Sequence, residues 1–350
     1  MQVSFGHIDD VFHNLRTNGS YEWWYFDGIS TDSDYSFVII FFVGIPMSAT
    51  YISSYTNPEK HLDPIENCGI SVNVYHKNKR IFTTLQEGMG NESDFSISNC
   101  QGVFGANSFA FDEESNSYSV TIDTSNQNIP TTLKGSFKLS ITAPIDNTRC
   151  ELIDHLWTLV APRARFNATF SLFEYDQIVL NESINGYAYH DHNCGVEPLH
   201  LHFSQWYWGN LQSEKYSLVF YDVLAFQNRN CEATVTLSTD DSFEELTVVD
   251  VKYSCYKISF MGIRYATKYL FLCTTKSGKN VKILISTKRI KEQGPFYLRF
   301  AITAEVHFES EIYNDFVGIA EYMDAQTLQQ KWILPFLKVP LLQVNSTKTL

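Results

Sequence analysis

The period of this chain constrains its fold most. Short runs rich in β-branched and aromatic residues recur along its 350 residues, each closed by Ser, Asp, Asn or Gly, and no long stretch sustains helical periodicity. In the first half the runs pair as 21–27 with 35–43 about a polar turn at 31–34, 71–75 with 80–85, and 109–112 with 118–123. Residues 133–142 alternate through Leu133, Phe137, Leu139 and Ile141, the signature of a half-buried strand. Gly44-Ile-Pro-Met stops the second run because proline cannot donate to a ladder, and Ala161-Pro-Arg separates a strand at 157–160 from another at 166–173. The second half restarts the rhythm at 205–211, 216–225, 234–238, 245–253, 268–274, 281–286 and 300–308. The best helix lies at 324–336, where Pro335 limits its extent. Such spacing predicts an all-β chain of two consecutive barrel or sandwich domains, residues 1–185 and 186–350, the second ending in a short helix.

Composition narrows the partners. Hydrophobic residues make up 44% and charged ones 19%, which is globular and not disordered. A formal net charge of −13 argues against nucleic acid, whose phosphates need a basic surface, and against standing attachment to an anionic membrane. Transient membrane contact to collect an apolar substrate remains compatible with it. Seven cysteines, odd in number and without a CxxC pair, suggest reduced thiols and neither a disulfide framework nor a zinc site. The first ten residues lack the apolar segment of a signal peptide, and the apolar run 37–45 is about half a membrane span, so a cytoplasmic location is expected. Sequons at Asn18, Asn91, Asn167, Asn181 and Asn345 read as compositional. No Ser-His-Asp order, phosphate loop or dinucleotide fingerprint occurs.

Acid–base groups and rings concentrate in Tyr187-Ala-Tyr-His-Asp-His-Asn-Cys-Gly195, Trp206-Tyr-Trp-Gly209 and Tyr221-Asp222. Rings exclude water and stabilise developing positive charge, so the pattern suggests acid-initiated chemistry on an apolar substrate. A carboxyl raised by apolar surroundings can donate the proton, and Asp222, ending the run Leu218-Val-Phe-Tyr221, is the first choice. His192 would orient that acid or a water. Strand alternation sends His190 and His192 to one face and Asp191 to the other. Both histidines are therefore expected in the pocket or neither, with Asp191 hydrogen-bonding backbone at the domain junction. Trp206 and Trp208 share a face opposite Tyr207 and would wall the cavity; Tyr221 and Tyr189 could donate to a substrate carbonyl. Glu22, beside Trp23 and Trp24, is either a pocket acid or a buried partner for Arg163 or Arg165. Trp24 and Asn193 complete the candidate binding set.

Several of these pieces together resemble the hydroxyneurosporene synthase, or carotenoid hydratase, family and its lipocalin-like relatives. They are Glu22-Trp-Trp-Tyr-Phe-Asp27, Ala161-Pro-Arg-Ala164, Gly186-Tyr-Ala-Tyr-His-Asp-His-Asn-Cys-Gly195 and Trp206-Tyr-Trp-Gly209, extended by Tyr221-Asp222 and Gly318-Ile-Ala-Glu-Tyr322. The likeness runs in order over nearly the whole chain. It implies two consecutive lipocalin-like β domains with a ligand cavity between or within them, and a cofactor-free enzyme acting on a long apolar or polyene substrate. Asp222 matches the family's acidic position, and Glu321 would face the cavity from the second domain. Fungal decalin-forming Diels–Alderases are similar in architecture. The resemblance therefore covers acid-assisted hydration or cyclisation, and also a pericyclase whose pocket folds the substrate while Tyr or Glu side chains only hydrogen-bond it. A carrier of an apolar ligand is the third reading. His190-x-His192 with His200-x-His202 could chelate an ion, but the resemblance implies no metal. One departure matters: these hydratases usually carry Trp where this chain has Cys194, which removes an indole face beside the acid and leaves cyclisation open.

Overall fold

The computed structural model describes residues 1–57, 59–77, 79–88, 90–224 and 232–337; Asn345, Cys231 and the last residue of the 216–225 run lie outside them. The first sheet contains β1 (Gln2–Phe5), β2 (Tyr21–Ser30), β3 (Tyr35–Val43), β4 (Cys68–His76), β5 (Lys79–Gly88) and β6 (Ser93–Phe95). It continues with β7 (Gln101–Phe104), β8 (Asn107–Asp112), β9 (Ser117–Ser125), β10 (Thr131–Ile141), β11 (His155–Glu174) and β12 (Gln177–Gly195). Their order is β5-β4-β3-β2-β12-β11-β10-β9-β8-β7-β6, with β1 added in parallel to β11. The sheet rolls until alternate residues of distant strands meet. Trp24 and Phe26 of β2 pack on Phe95, Phe109 and Tyr118 from the far edge.

The remaining strands are β13 (Gln205–Gln212), β14 (Ser217–Leu224), β15 (Glu232–Ser238), β16 (Phe243–Ser254), β17 (Lys257–Ile258) and β18 (Arg264–Tyr265). After them come β19 (Lys268–Thr274), β20 (Asn280–Gln293), β21 (Tyr297–Phe308) and β22 (Glu311–Asp324). All but the ribbon β17–β18 close into an eight-stranded barrel, ordered β13-β14-β15-β16-β19-β20-β21-β22. Closure removes the open edges that would otherwise template aggregation. The all-β expectation holds.

Three expectations differ from the structure, each for a local reason. The divide expected after residue 185 falls inside β12, which stays paired with β2 and β11 as far as Gly195. Tyr175 and Asp176 take positive φ and turn β11 back into β12. The polar stretch that follows is thus the exposed limb of a hairpin and not a linker. Pro162 does not break its strand either: β11 is continuous, and register shifts between Leu159, Ala161 and Ala164 absorb the missing donor as a bulge. The helix expected at 324–336 is two 3₁₀ turns, Ala325–Gln329 and Lys331–Phe336. A helix that the strand rhythm concealed, α1 (Ala49–Thr56), follows β3, with the Ser48 side chain accepting from the Tyr51 N–H as its cap. Among the described residues no helix is long and apolar enough to cross a membrane, and the six cysteines are free thiols.

Sheet and barrel meet along a third apolar cluster that includes Tyr25, Trp157, Tyr189, Trp206, Trp208 and Tyr221. Arg163 pins one end of this seam. Its fully buried guanidinium donates to Asp240 (2.7 Å), to the Ser213 and Glu214 carbonyls (3.2 and 2.7 Å) and to the Ser217 hydroxyl (3.2 Å). Truncating this side chain strands two buried acceptors, the Ser213 carbonyl and the Ser217 hydroxyl. Arg163→Ala should therefore cost about 3 kcal/mol of unfolding free energy in a denaturant titration.

Candidate active site

A strand buried on both faces ordinarily reads as a continuous apolar run, because either face must meet a core. The second half of β12 breaks that rule. His190, Asp191, His192 and Asn193 are all between 0% and 3% exposed, since one face lines the interior of the rolled sheet and the barrel covers the other. Each of these polar groups must find partners inside the protein.

Toward the sheet interior, alternation groups His190, His192 and Cys194 with Glu22, Trp24 and Phe26 of β2. His190 lies flat on Phe26 and places Nδ1 on the Tyr25 carbonyl (2.9 Å) and Nε2 on Asp10 (3.0 Å). His192 stacks on Trp24, with Nδ1 3.2 Å from the Asp9 carbonyl and Nε2 2.9 Å from Glu22. Glu22 also accepts from the His13 imidazole and from the His13 backbone N–H. Burial works to raise Asp10 and Glu22, but the neighbouring histidines outweigh it and hold both below the usual carboxylate range. Glu22 pairs with imidazoles and with neither Arg163 nor Arg165, whose partner is Asp240. Sequence spacing carried no sign of Asp10 or His13, because both lie in the irregular segment before β2.

The opposite face forms the seam. Asp27 stands across from Tyr189 and Asp191 across from Tyr25 in the β2/β12 pair. Asp191 accepts from the Trp157 indole N–H (2.9 Å), the Tyr189 hydroxyl (2.6 Å) and the Asn193 amide (3.1 Å). Its partners are thus side chains and not the backbone expected for it. Asp27 accepts from Asn210 of the barrel at 2.6 Å. Burial pushes Asp27 up to about 8 against its hydrogen bond from Asn210, and pushes Asp191 up to about 7 against those from Tyr189 and Trp157. Asp27 is therefore largely protonated at neutral pH. From the barrel, β13, β14 and β22 align Tyr221, Trp208 and Glu321 in one row, and Arg299 of β21 extends it. Arg299 ion-pairs with Glu321 at 2.9 Å and with Glu292 at 3.1 Å, so Glu321 is a neutralised wall group. Trp208 meets Tyr25 and Tyr189 edge-on or tilted at 5.0 and 5.4 Å.

A cavity of about 380 Å³ opens beside Asp27 between the β2–β3 hairpin and the barrel. Phe37, Val38, Ile302 and Ile319 give it apolar walls, Asn210 lies beside the acid, and Lys288, Arg289 and Lys291 line the rest of it. Burial pushes Lys291 down to about 8, with Arg299 and Arg289 adding to the shift.

The expected site residues thus fall into three places. Tyr189, Asn193, Trp206, Trp208, Tyr221 and Glu321 lie at the seam. His190, His192, Glu22 and Trp24 lie inside the sheet. Asp222 lies in the barrel lumen, hydrogen-bonded by Tyr253 beside Tyr207, because alternation along β14 turns it away from Tyr221. The expected Asp222–His192 pair does not form. His200 and His202 sit on the short helix Leu199–His202, apart from His190 and His192, so the four-histidine tetrad is not assembled.

Residues 39–348 match the family described as Carotenoid hydratase CrtC. The chain is 26% identical over 355 aligned positions to the hydroxyneurosporene dehydrogenase of Chlorobaculum tepidum, covering 95% of this chain and 89% of that protein. It is 24% identical over 233 positions to the acyclic carotenoid 1,2-hydratase of Thiocapsa roseopersicina, covering 65% of this chain and 54% of the relative. Among solved structures, CghA with Sch210972 superposes with a TM-score of 0.62 at 11% identity, over 88% of this chain and 89% of CghA. An AttH-type protein of Nitrosomonas europaea superposes at 0.58 and 14% identity, over 91% of this chain and 95% of that one. At these identities the structural likeness establishes the shared lipocalin-like fold alone.

The Asn210 amide holds Asp27 lower than burial alone would. Removing it in Asn210→Ala should keep the Asp27 proton in place to a pH above about 8, read as persistence of the protonated-carboxyl infrared band in a pH titration.

Proposed function

The chain belongs to the carotenoid hydratase CrtC family, and from that premise we propose that it adds water to an apolar polyene held in the seam between sheet and barrel. The observation that carries this reading is Asp27: a buried carboxyl raised to about 8, on the wall of a partly apolar cavity that Phe37 also lines. Protonating an isolated alkene needs a proton donor and surroundings that tolerate a cation. Burial supplies the first, and the Phe37 ring on the cavity wall supplies the second. A cavity of about 380 Å³ holds one end of a long chain, which suits attack at a terminal double bond.

The proposed step balances without any further reactant. Asp27 gives its proton to the terminal alkene carbon, forming a C–H bond as the π bond opens. Water oxygen then bonds to the cationic neighbour, and the Asp27 carboxylate takes back one water proton. Tyr221 and Glu321 act here as wall groups, the tyrosine through its ring and the glutamate through Arg299.

A second reading places the donor at Asp222. Burial raises its carboxyl as well, and Oδ1 has no hydrogen-bond partner among the described residues.

Incubating a candidate acyclic polyene in deuterated water separates these readings. The expected product is heavier by one water and carries deuterium on carbon; an isomer of unchanged mass without deuterium would mean ring closure, and unaltered ligand a carrier. Asp27→Asn should lower kcat/KM by about 10²–10⁴-fold, whereas Asp222→Asn should retain activity within a few-fold. The reverse pattern moves the donor into the barrel lumen.

Because the acid form of Asp27 is the active one, turnover should fall as pH rises through about 8. Its folded-state value lies above the unfolded value of about 4, so the stability it contributes is full below pH 4 and is lost as pH climbs toward 8. Asp27→Asn should accordingly melt higher than wild type at pH 9 by calorimetry.

A further inference from the structure

Behind the seam, on the other face of β12, His192 poses a problem in hydrogen bonding. A backbone carbonyl can only accept, so the ring nitrogen facing the Asp9 oxygen at 3.2 Å is the one that carries hydrogen. The other nitrogen lies 2.9 Å from a Glu22 oxygen, yet it is buried and makes no hydrogen bond among the described residues. A metal ion is one group that would take up such a lone pair.

Three features favour the ion. The ligand atoms of His13, Glu22 and His192 all lie within 4.8 Å of one another, and both imidazole contacts to Glu22 are 2.9 Å. A tetrahedral ion with bonds of about 2.0–2.1 Å needs ligand atoms about 3.3 Å apart, so small side-chain shifts suffice. Two imidazoles and one carboxylate are also the donor set of an open zinc site, which leaves a fourth position for water. A ring N–H anchored on a backbone carbonyl is also the outer support that orients metal-ligating histidines. The neighbouring group of Asp10, Cys100 and His190 lacks this character. Asp10 Oδ2 already accepts from Tyr118, Cys100 and His190, and the site has no way in. The first group has an entrance, since the His13 side chain is 19% exposed while Glu22 and His192 are 1%.

We infer that His13, Glu22 and His192 form a binding site for a divalent transition-metal ion of the zinc type, which ties the segment before β2 to the central strand pair. On binding, any proton shared between Glu22 and the imidazoles passes to solvent. The site lies on the face of β12 opposite Asp27, so it stands or falls independently of the proposed hydration.

Titrating the full-length protein, first stripped by chelator, with Co²⁺ should give one equivalent with visible d–d bands that Zn²⁺ bleaches. His13→Gln, the mildest change because that side chain reaches solvent, should weaken Co²⁺ affinity by at least about tenfold with an unchanged far-ultraviolet dichroism spectrum. X-ray absorption of the unmutated zinc form reads the shell without any variant: imidazole nitrogen and carboxylate or water oxygen neighbours at about 2.0–2.2 Å are expected. Absence of stoichiometric binding, or a shell without imidazole, would overturn the assignment.

Discussion

Burial of one strand on both faces is the constraint on which the rest of this molecule depends. Between Tyr187 and Gly195, β12 separates the interior of the rolled sheet from the seam with the barrel, and nearly every residue there is inaccessible. Apolar side chains would satisfy such a strand most cheaply. The chain instead places His-Asp-His-Asn at its middle, and the surroundings are built to accommodate the consequences. Asp10, Glu22 and His13 meet the histidines on one side; Trp157, Tyr189 and Asn193 meet Asp191 on the other.

The two faces solve the same desolvation problem in opposite ways. Inside the sheet, carboxylates and imidazoles lie within about one hydrogen-bond length, and pairing overcomes burial to keep the acids ionised. At the seam no imidazole approaches Asp27, and Arg299, the nearby guanidinium, is taken by Glu292 and Glu321. Neutral amide, phenol and indole donors cannot compensate fully for lost water, so burial prevails and the carboxyls rise. The β2–β12 pair thus carries an ionised network on one face and raised acids on the other. The pleat is what insulates them.

The barrel contributes position more than chemistry. Its outward row of Tyr221, Trp208, Glu321 and Arg299 closes the seam, and Asn210 reaches across to the acid. Arg163, Lys291 and Glu292 supply polar anchors around this contact, with Lys291 donating to Ser36 and Tyr75 donating to Glu292.

By itself the sequence determined the β periodicity, the in-and-out assignment along each strand and the concentration of acid–base groups around residues 187–195. These follow from a local two-residue repeat that needs no partner to be recognised. The same repeat put His190 and His192 opposite Asp191, and Trp206 with Trp208 opposite Tyr207, as the structure has them. What it could not give is which face meets which core. Asp222 looked like the pocket acid because it ends an apolar run, yet the barrel turns that face inward; Asp27, at the end of an equally aromatic run, became the seam acid only because β2 lies beside β12 and the barrel covers both. Asp10 and His13 carry no periodic signal at all. Strand order, sheet rolling and barrel closure join residues far apart in sequence, and burial, which sets the proton on Asp27, exists only after those contacts form.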